Sequence, residues 1–357
     1  MRGGALIILA AALVACDVSP SPAPSPAPSA PTQAADLRTQ LDLLLTEHVV
    51  IVAKESAAAI NHSAEYAGYT ALLATNETAL SRVLRGAFGS TAAATFSQAW
   101  ITQNEYLVDY AIGVATHDTD KSKAAIGRLN QLSTPRLADV LAGLTFGQAG
   151  EFSTLLASEL SSIREVIDGA AAHHYAAMYL SLTSGISTAV TLGDALGGKI
   201  AQQFPDKYPG DQTAPEVVRR VRLNVLMQER AYLVTMATES QVTSRSDEKA
   251  QALGALATNL DLIVSQLDNA RTRQVWVDEL SSLQRYAVAG DAAAKNALTE
   301  AFVSRLASTS SVSPGVLSNQ VNATIKVIDD QRTKKFDDVA DDDRAAATSM
   351  QPVADSL

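Results

Sequence analysis

From Asp36 onward apolar residues return at intervals of three and four. Leu37, Leu41 and Leu44 lead to Ile51 in one run, and Leu223, Leu226 and Leu233 mark another. That is the 3.6-residue period of helices buried along one face, not the alternation of strands. Helix punctuation accompanies the stripes. Gly86 and Gly89 close one helix, and Thr134-Pro135 and Ser313-Pro314 open two others. The spacing predicts long helices over 37–60, 64–86, 92–117 and 150–203, the last broken near Gly169, with a short helix before it. The longest turn-rich interruption, Phe204-Pro-Asp-Lys-Tyr-Pro-Gly-Asp211, reads as a boundary between two helical regions.

The two sides of that boundary match. Leu44-Leu-Thr-Glu-His48 parallels Leu226-Met-Gln-Glu-Arg230 at an offset of 182, and Leu73-Ala-Thr-Asn76 parallels Leu256-Ala-Thr-Asn259 at 183. Trp100 and Tyr110 parallel Trp276 and Tyr286 at 176. Ile167-Asp168 parallels Ile328-Asp329, and Gly193-Asp-Ala-Leu196 parallels Ala354-Asp-Ser-Leu357, both at 161. The expected fold is therefore all-α: two tandem, internally duplicated up-and-down bundles, the first over 36–206, a linker over 207–214, and the second over 215–357.

Polar residues interrupt the stripes at matching places. His48 falls between Leu44 and Ile51, and Arg230 between Leu226 and Leu233. Buried polar groups cost several kcal/mol unless paired, so each predicts a partner on a facing helix. Gln103, one turn after Trp100, and Glu279, one turn after Trp276, are the expected partners of His48 and Arg230. The 161 offset adds Glu159 with Gln320, and Thr188 with Ser349.

Composition changes the picture at the N-terminus. Arg2 precedes an uncharged apolar run from Ala5 to Ala15, too short to span a bilayer, which takes about 20 residues, and suited to a secretory signal over 1–15. Leu13-Val14-Ala15-Cys16 ends it on the chain's one cysteine and resembles the lipobox of bacterial lipoproteins. That resemblance implies a lipidated Cys16 carrying acyl chains that hold the protein to the membrane outside the cytoplasm; two or more chains anchor stably where one does not. Ser19 to Pro31 alternates Ser, Pro and Ala, so 16–35 reads as a tether. In polyproline II it would extend about 40 Å at about 3.1 Å per residue. With Cys16 consumed, disulfides and cysteine-ligated metals are excluded from the folded part. The net charge of −10 argues against nucleic acid.

Through Glu47-His48, Ala71-Leu72-x-x-x-Asn76, Trp100 to Tyr110, and Gly193-Asp194 with Gln203-Phe-Pro-Asp-Lys207, most of 36–210 also resembles a poorly characterised family of secreted bacterial helical repeats. These repeats are often found beside modules similar to the copper amine oxidase N-terminal type. The resemblance implies histidines at the positions of His48, Gln103, Glu159 and Thr188, and hence a metal or haem site. Here only His48 is histidine. A metal in the first bundle would use His48 and Glu159, with Asp109 or Glu47 in support, and two ligands are few. Hydrogen-bonded core residues are the competing reading.

Other candidates fall away. His62 and His117 lie at predicted helix ends. His173-His174 align with Lys334-Lys335 as a solvated cationic patch, and Asp337-Asp338 with Asp341-Asp342-Asp343 lack the spacing of a calcium loop, which leaves a solvated acidic face. Catalytic signatures such as Gly-x-Ser-x-Gly, a phosphate loop or His-Glu-x-x-His do not occur. The expectation is a non-catalytic, lipid-anchored envelope module with no required cofactor, binding an unidentified envelope protein, with Tyr66, Tyr69, Tyr175 and Tyr179 as candidate anchors. A metal- or cofactor-binding protein centred on His48 is the alternative.

Overall fold

Helix α1, Gln33–Ile60, is buried on nearly every side, with every residue from Leu44 to Ser56 sealed from solvent. Its sequence explains why. Leu44, Leu45, Val49, Val50, Ile51 and Val52 surround the axis instead of lining one stripe, which suits a central helix rather than a surface one. The computed structural model describes residues 32–267 and 271–357. Cys16, the apolar run before it and the Ser19–Pro31 stretch lie outside the described residues.

Thr32 caps α1 by accepting from the Ala35 N–H at 3.3 Å, so the helix starts inside the stretch assigned to the tether. Next come α2, Glu65–Phe88, and α3, Ser90–Ala115. Helix α4, Thr119–Arg128, runs through a π-helical turn, Leu129–Ser133, into α5, Thr134–Thr145. The predicted fourth helix is two: α6, Ala149–Ala171, and α7, Tyr175–Gln203. They reverse at His173, whose φ of 55° closes the turn. Gly169 sits where a Cβ would lie 3.1 Å from that of Met178, so its missing side chain lets α7 fold back closely.

The second half repeats the order. Helices α8, Pro215–Val242, α9, Ser246–Leu267, and α10, Arg271–Ala289, are followed by α11, Ala292–Asn296, a second π-helical segment, Ala297–Phe302, and α12, Val303–Thr309. Helices α13, Pro314–Thr333, and α14, Phe336–Ser356, complete it. Among the described residues there is no strand, and no helix is long and apolar enough to cross a membrane. The protein is all-α.

Helix α8 is as deeply buried as α1, continuously from Leu223 to Thr238. The two pack against each other, α14 of the second half packs on α2 of the first, and α7 packs on α9. The described residues fold as one unit, and one apolar cluster contains Leu41 and Trp100 together with Leu226 and Trp276. The boundary at 204–214 thus joins halves that share a core.

Candidate functional site

Residues related by the sequence offsets make matching contacts. Asn76 Nδ2 donates to the Leu44 carbonyl at 2.9 Å and to Glu47 at 2.8 Å, while Asn259 Nδ2 donates to the Leu226 carbonyl at 3.0 Å and to Glu229 at 2.9 Å. Tyr110 donates to Asp168 at 2.6 Å, and Tyr286 to Asp329 at 2.7 Å. Burial, reinforced by those carboxylates, pushes both phenols up to about 12. The offsets also relate Arg38 to Arg220 and Asp194 to Asp355. Arg38 pairs with Asp194, and Arg220 with Asp355 at 2.8 Å. Those ion pairs were open to sequence reasoning and were missed because they lie off the apolar stripes.

The polar stripe residues form a sealed cluster in each half. Arg230 lies 4.8 Å over the Trp276 ring and donates to Glu279 at 2.8 Å and to the Trp276 carbonyl at 3.1 Å, as the duplication argument required for this pair. Burial raises the Glu279 pKa, and the Arg230 charge opposes that rise. His48 takes the matching place, 4.7 Å from the Trp100 ring, but its partner differs from expectation. Its Nε2 donates at 2.9 Å to Asn104, not Gln103, and its Nδ1 lies 3.5 Å from Glu159. Asn104 was overlooked because its counterpart is Leu280, so a search for positions polar in both halves passes over it.

Gln103, Glu159 and Gln320 are all buried, although Gln320 donates to Thr324 at 3.0 Å. The first half therefore holds His48, Asn104 and Glu159 beside Trp100, and the second holds Arg230 and Glu279 beside Trp276. The carboxylate is on α6 in the first half and on α10 in the second. Thr188 and Ser349 do not join these clusters. They are half-buried, and each short hydroxyl returns to its own helix, at the Ser184 and Ala346 carbonyls.

The metal alternative gains its two named ligands but no third. Asp109 pairs with Lys121 at 2.9 Å, and Glu47 is held by Asn76, Tyr232 and Arg344. Among the described residues no three His, Cys, Asp or Glu side chains are grouped to hold a metal. Other expectations are revised by burial. Tyr69 and Tyr179 are core residues rather than exposed anchors, while Tyr66 and Tyr175 are half-buried. Asp343 leaves the solvated acidic face altogether. Fully buried, it accepts from Lys54, from Tyr69 at 2.9 Å and from Thr235 at 2.6 Å. His173 and His174 are exposed, like Lys334 and Lys335.

Solvent reaches polar groups in two clefts beside the α1–α8 pair. One, about 400 Å³, is bounded by α1, α2, α8 and α14, and the other, about 310 Å³, by α1, α7, α8 and α9. Six α1 positions of the first (Asp36, Thr39, Gln40, Leu43, Leu44 and Glu47) correspond at the 182 offset to Val218, Val221, Arg222, Val225, Leu226 and Glu229, all of which line the second. The same cleft is thus built twice, polar in one half and apolar in the other. Comparison of this all-helical chain with family models, curated proteins and solved structures finds no match.

Proposed function

We propose that this chain is a lipid-anchored extracytoplasmic protein of the bacterial envelope, a non-catalytic interaction module made of two copies of one helical unit fused through a shared core. The observation that carries the non-catalytic reading is the burial of the recurring polar residues. His48, Glu159, Arg230 and Glu279 are each at most 2% exposed. Groups sealed in this way specify packing and cannot meet a substrate. Arg2, Ala5–Ala15 and Leu13-Val14-Ala15-Cys16 support the anchor. Phe146 at 84% and Leu180 at 74% are the most exposed large apolar side chains among the described residues, and so the places at which contact with an envelope protein is tested.

Fractionation of bacteria producing the full chain tests the anchor. The wild type is expected in the membrane fraction with incorporated labelled palmitate, and Cys16→Ala in the soluble fraction without label. An unlabelled wild type, or an equally membrane-bound Cys16→Ala protein, would overturn the anchor. Photo-crosslinking groups placed at Phe146 and Leu180 in living cells test the interaction role: a discrete protein adduct is expected, and none from either position contradicts it.

A further inference from the structure

The polar cleft has a chemistry that the repeated framework does not require. Its positively charged groups are unequal. Arg344 reaches Glu47 through Nε and Nη2, both at 3.1 Å, and Asp36 is neutralised by Arg220 at 2.8 Å. Arg82, exposed at the rim on α2, makes no hydrogen bond or ion pair among the described residues. Its counterpart 183 residues on is Ser265, so the α2 position carries a guanidinium in this cleft only; the other cleft has its exposed arginine, Arg222, on α8 at the place of Gln40.

Space is also particular to this side. Ala79 and Ala347 line the polar cleft where their counterparts, Leu262 and Ile186, line the apolar one. The neutral polar lining is rich in groups that both donate and accept: the amides of Gln40, Gln228 and Gln351, and the Thr348 hydroxyl. Deeper in, buried Asn224 directs its Nδ2 to Asp355 and the Arg220 carbonyl and leaves Oδ1 without a donor.

We propose that the cleft between α1, α2, α8 and α14 binds a small hydroxylated carboxylate, the chemical class of the sugar acids. One uncommitted guanidinium calls for one negative charge, and its planar fork matches a carboxylate. Arg220 is committed to Asp36 and Arg344 to Glu47, so among the described residues of the cleft no second free cation meets the extra charge of a phosphate dianion. The amides and hydroxyl suit ligand hydroxyls, which donate and accept in turn, while Leu43, Ala79 and Ala347 face their C–H surfaces. The volume, about 400 Å³, suits a ligand of this size. The site is independent of the anchor and of the exposed helix ends, so failure of the envelope reading leaves it standing.

Calorimetric titration of the purified full chain in detergent with D-glucuronate, D-galacturonate and D-gluconate tests it, with D-glucose and inorganic phosphate as comparators. At least one of the three acids is expected to bind at a single site, with glucose and phosphate weaker by about tenfold or more. Arg82→Gln is expected to weaken the acid by about tenfold or more while leaving the ligand-free melting temperature unchanged. Ala79→Leu, which installs the counterpart residue, is expected to abolish binding by filling the cleft. Absence of binding by all three acids, binding that survives both substitutions, or phosphate bound as tightly as the acids would each overturn the proposal.

Discussion

Asp42 on α1 and Asn224 on α8 are counterparts, and the protein treats them alike. Asn224 donates to Asp355, the partner of Arg220, at 2.9 Å. Asp42 lies beside Asp194, the partner of Arg38, with both carboxyl oxygens buried. A Cβ at Gly193 would collide with that carboxyl, so glycine is what lets α7 pass. Burial first, then the Asp194 charge, pushes the Asp42 pKa well above the usual carboxylate range, and Arg38 opposes them. Glu65 behaves similarly: burial, then the Glu239 charge, raises it from 4.5 to about 8. Raised carboxyl pKa values contribute stability that is complete below the unfolded value and is lost as pH rises through the folded one. The urea midpoint should therefore fall between about pH 4.5 and about pH 8. Asp42→Asn and Glu65→Gln should each flatten that fall. Asp42→Asn should also leave stability at neutral pH unchanged or higher, because the amide can donate to Asp194 as Asn224 does to Asp355. A midpoint of the double variant that tracks wild type across this range would contradict both assignments.

At the scale of elements, the α1–α8 crossing joins the halves with different chemistry on its two sides. Thr46 donates to its own counterpart, Gln228, at 2.8 Å across the crossing. To one side, Lys54 of α1 and Asp343 of α14 pair in the core, with Thr235 also accepting from Lys54 at 3.1 Å. On the other side the matching positions are Met236 and Leu182, both buried. The framework thus supports either an ion pair or two apolar side chains. Asp343→Leu alone strands a buried ammonium and Lys54→Met alone strands a buried carboxylate, so each should cost about 3–5 kcal/mol. The combined variant copies the apolar solution and should recover most of that loss in a double-mutant cycle read by urea unfolding. Additive costs would mean that the two charges do not stabilise each other.

The whole molecule gives its halves little independence. Trp100 and Trp276 report one half each, and both rings are packed into a core that crosses the boundary. Because α14 completes the surface of α2 and α7 that of α9, unfolding either half exposes apolar area of the other. Tryptophan fluorescence of Trp100→Phe, which reports the second half, and of Trp276→Phe, which reports the first, should each unfold at the midpoint seen by circular dichroism for the same variant. Separated transitions within one variant would indicate bundles that fold alone.

Much of this was legible in the chain itself. Periodicity located the helices because a helix buried on one face must repeat its apolar residues every turn. Paired polar positions located the sealed clusters because a polar group inside a core is tolerated only with partners at fixed places. The Arg230–Glu279 pair followed directly. The His48 partner did not, since residues three and four positions beyond Trp100 share a face and only packing chooses between Gln103 and Asn104. Nor could periodicity separate an outer helix from a central one. Reading α1 by its stripe alone hid the sides that meet α8, and with them the burial of Asp343, the sharing of one core and the two clefts. Local spacing fixes what a segment becomes. Which surfaces then meet is decided by all the helices together, and there Arg82, Ala79 and Gln40, unremarkable along the chain, come to line one cleft.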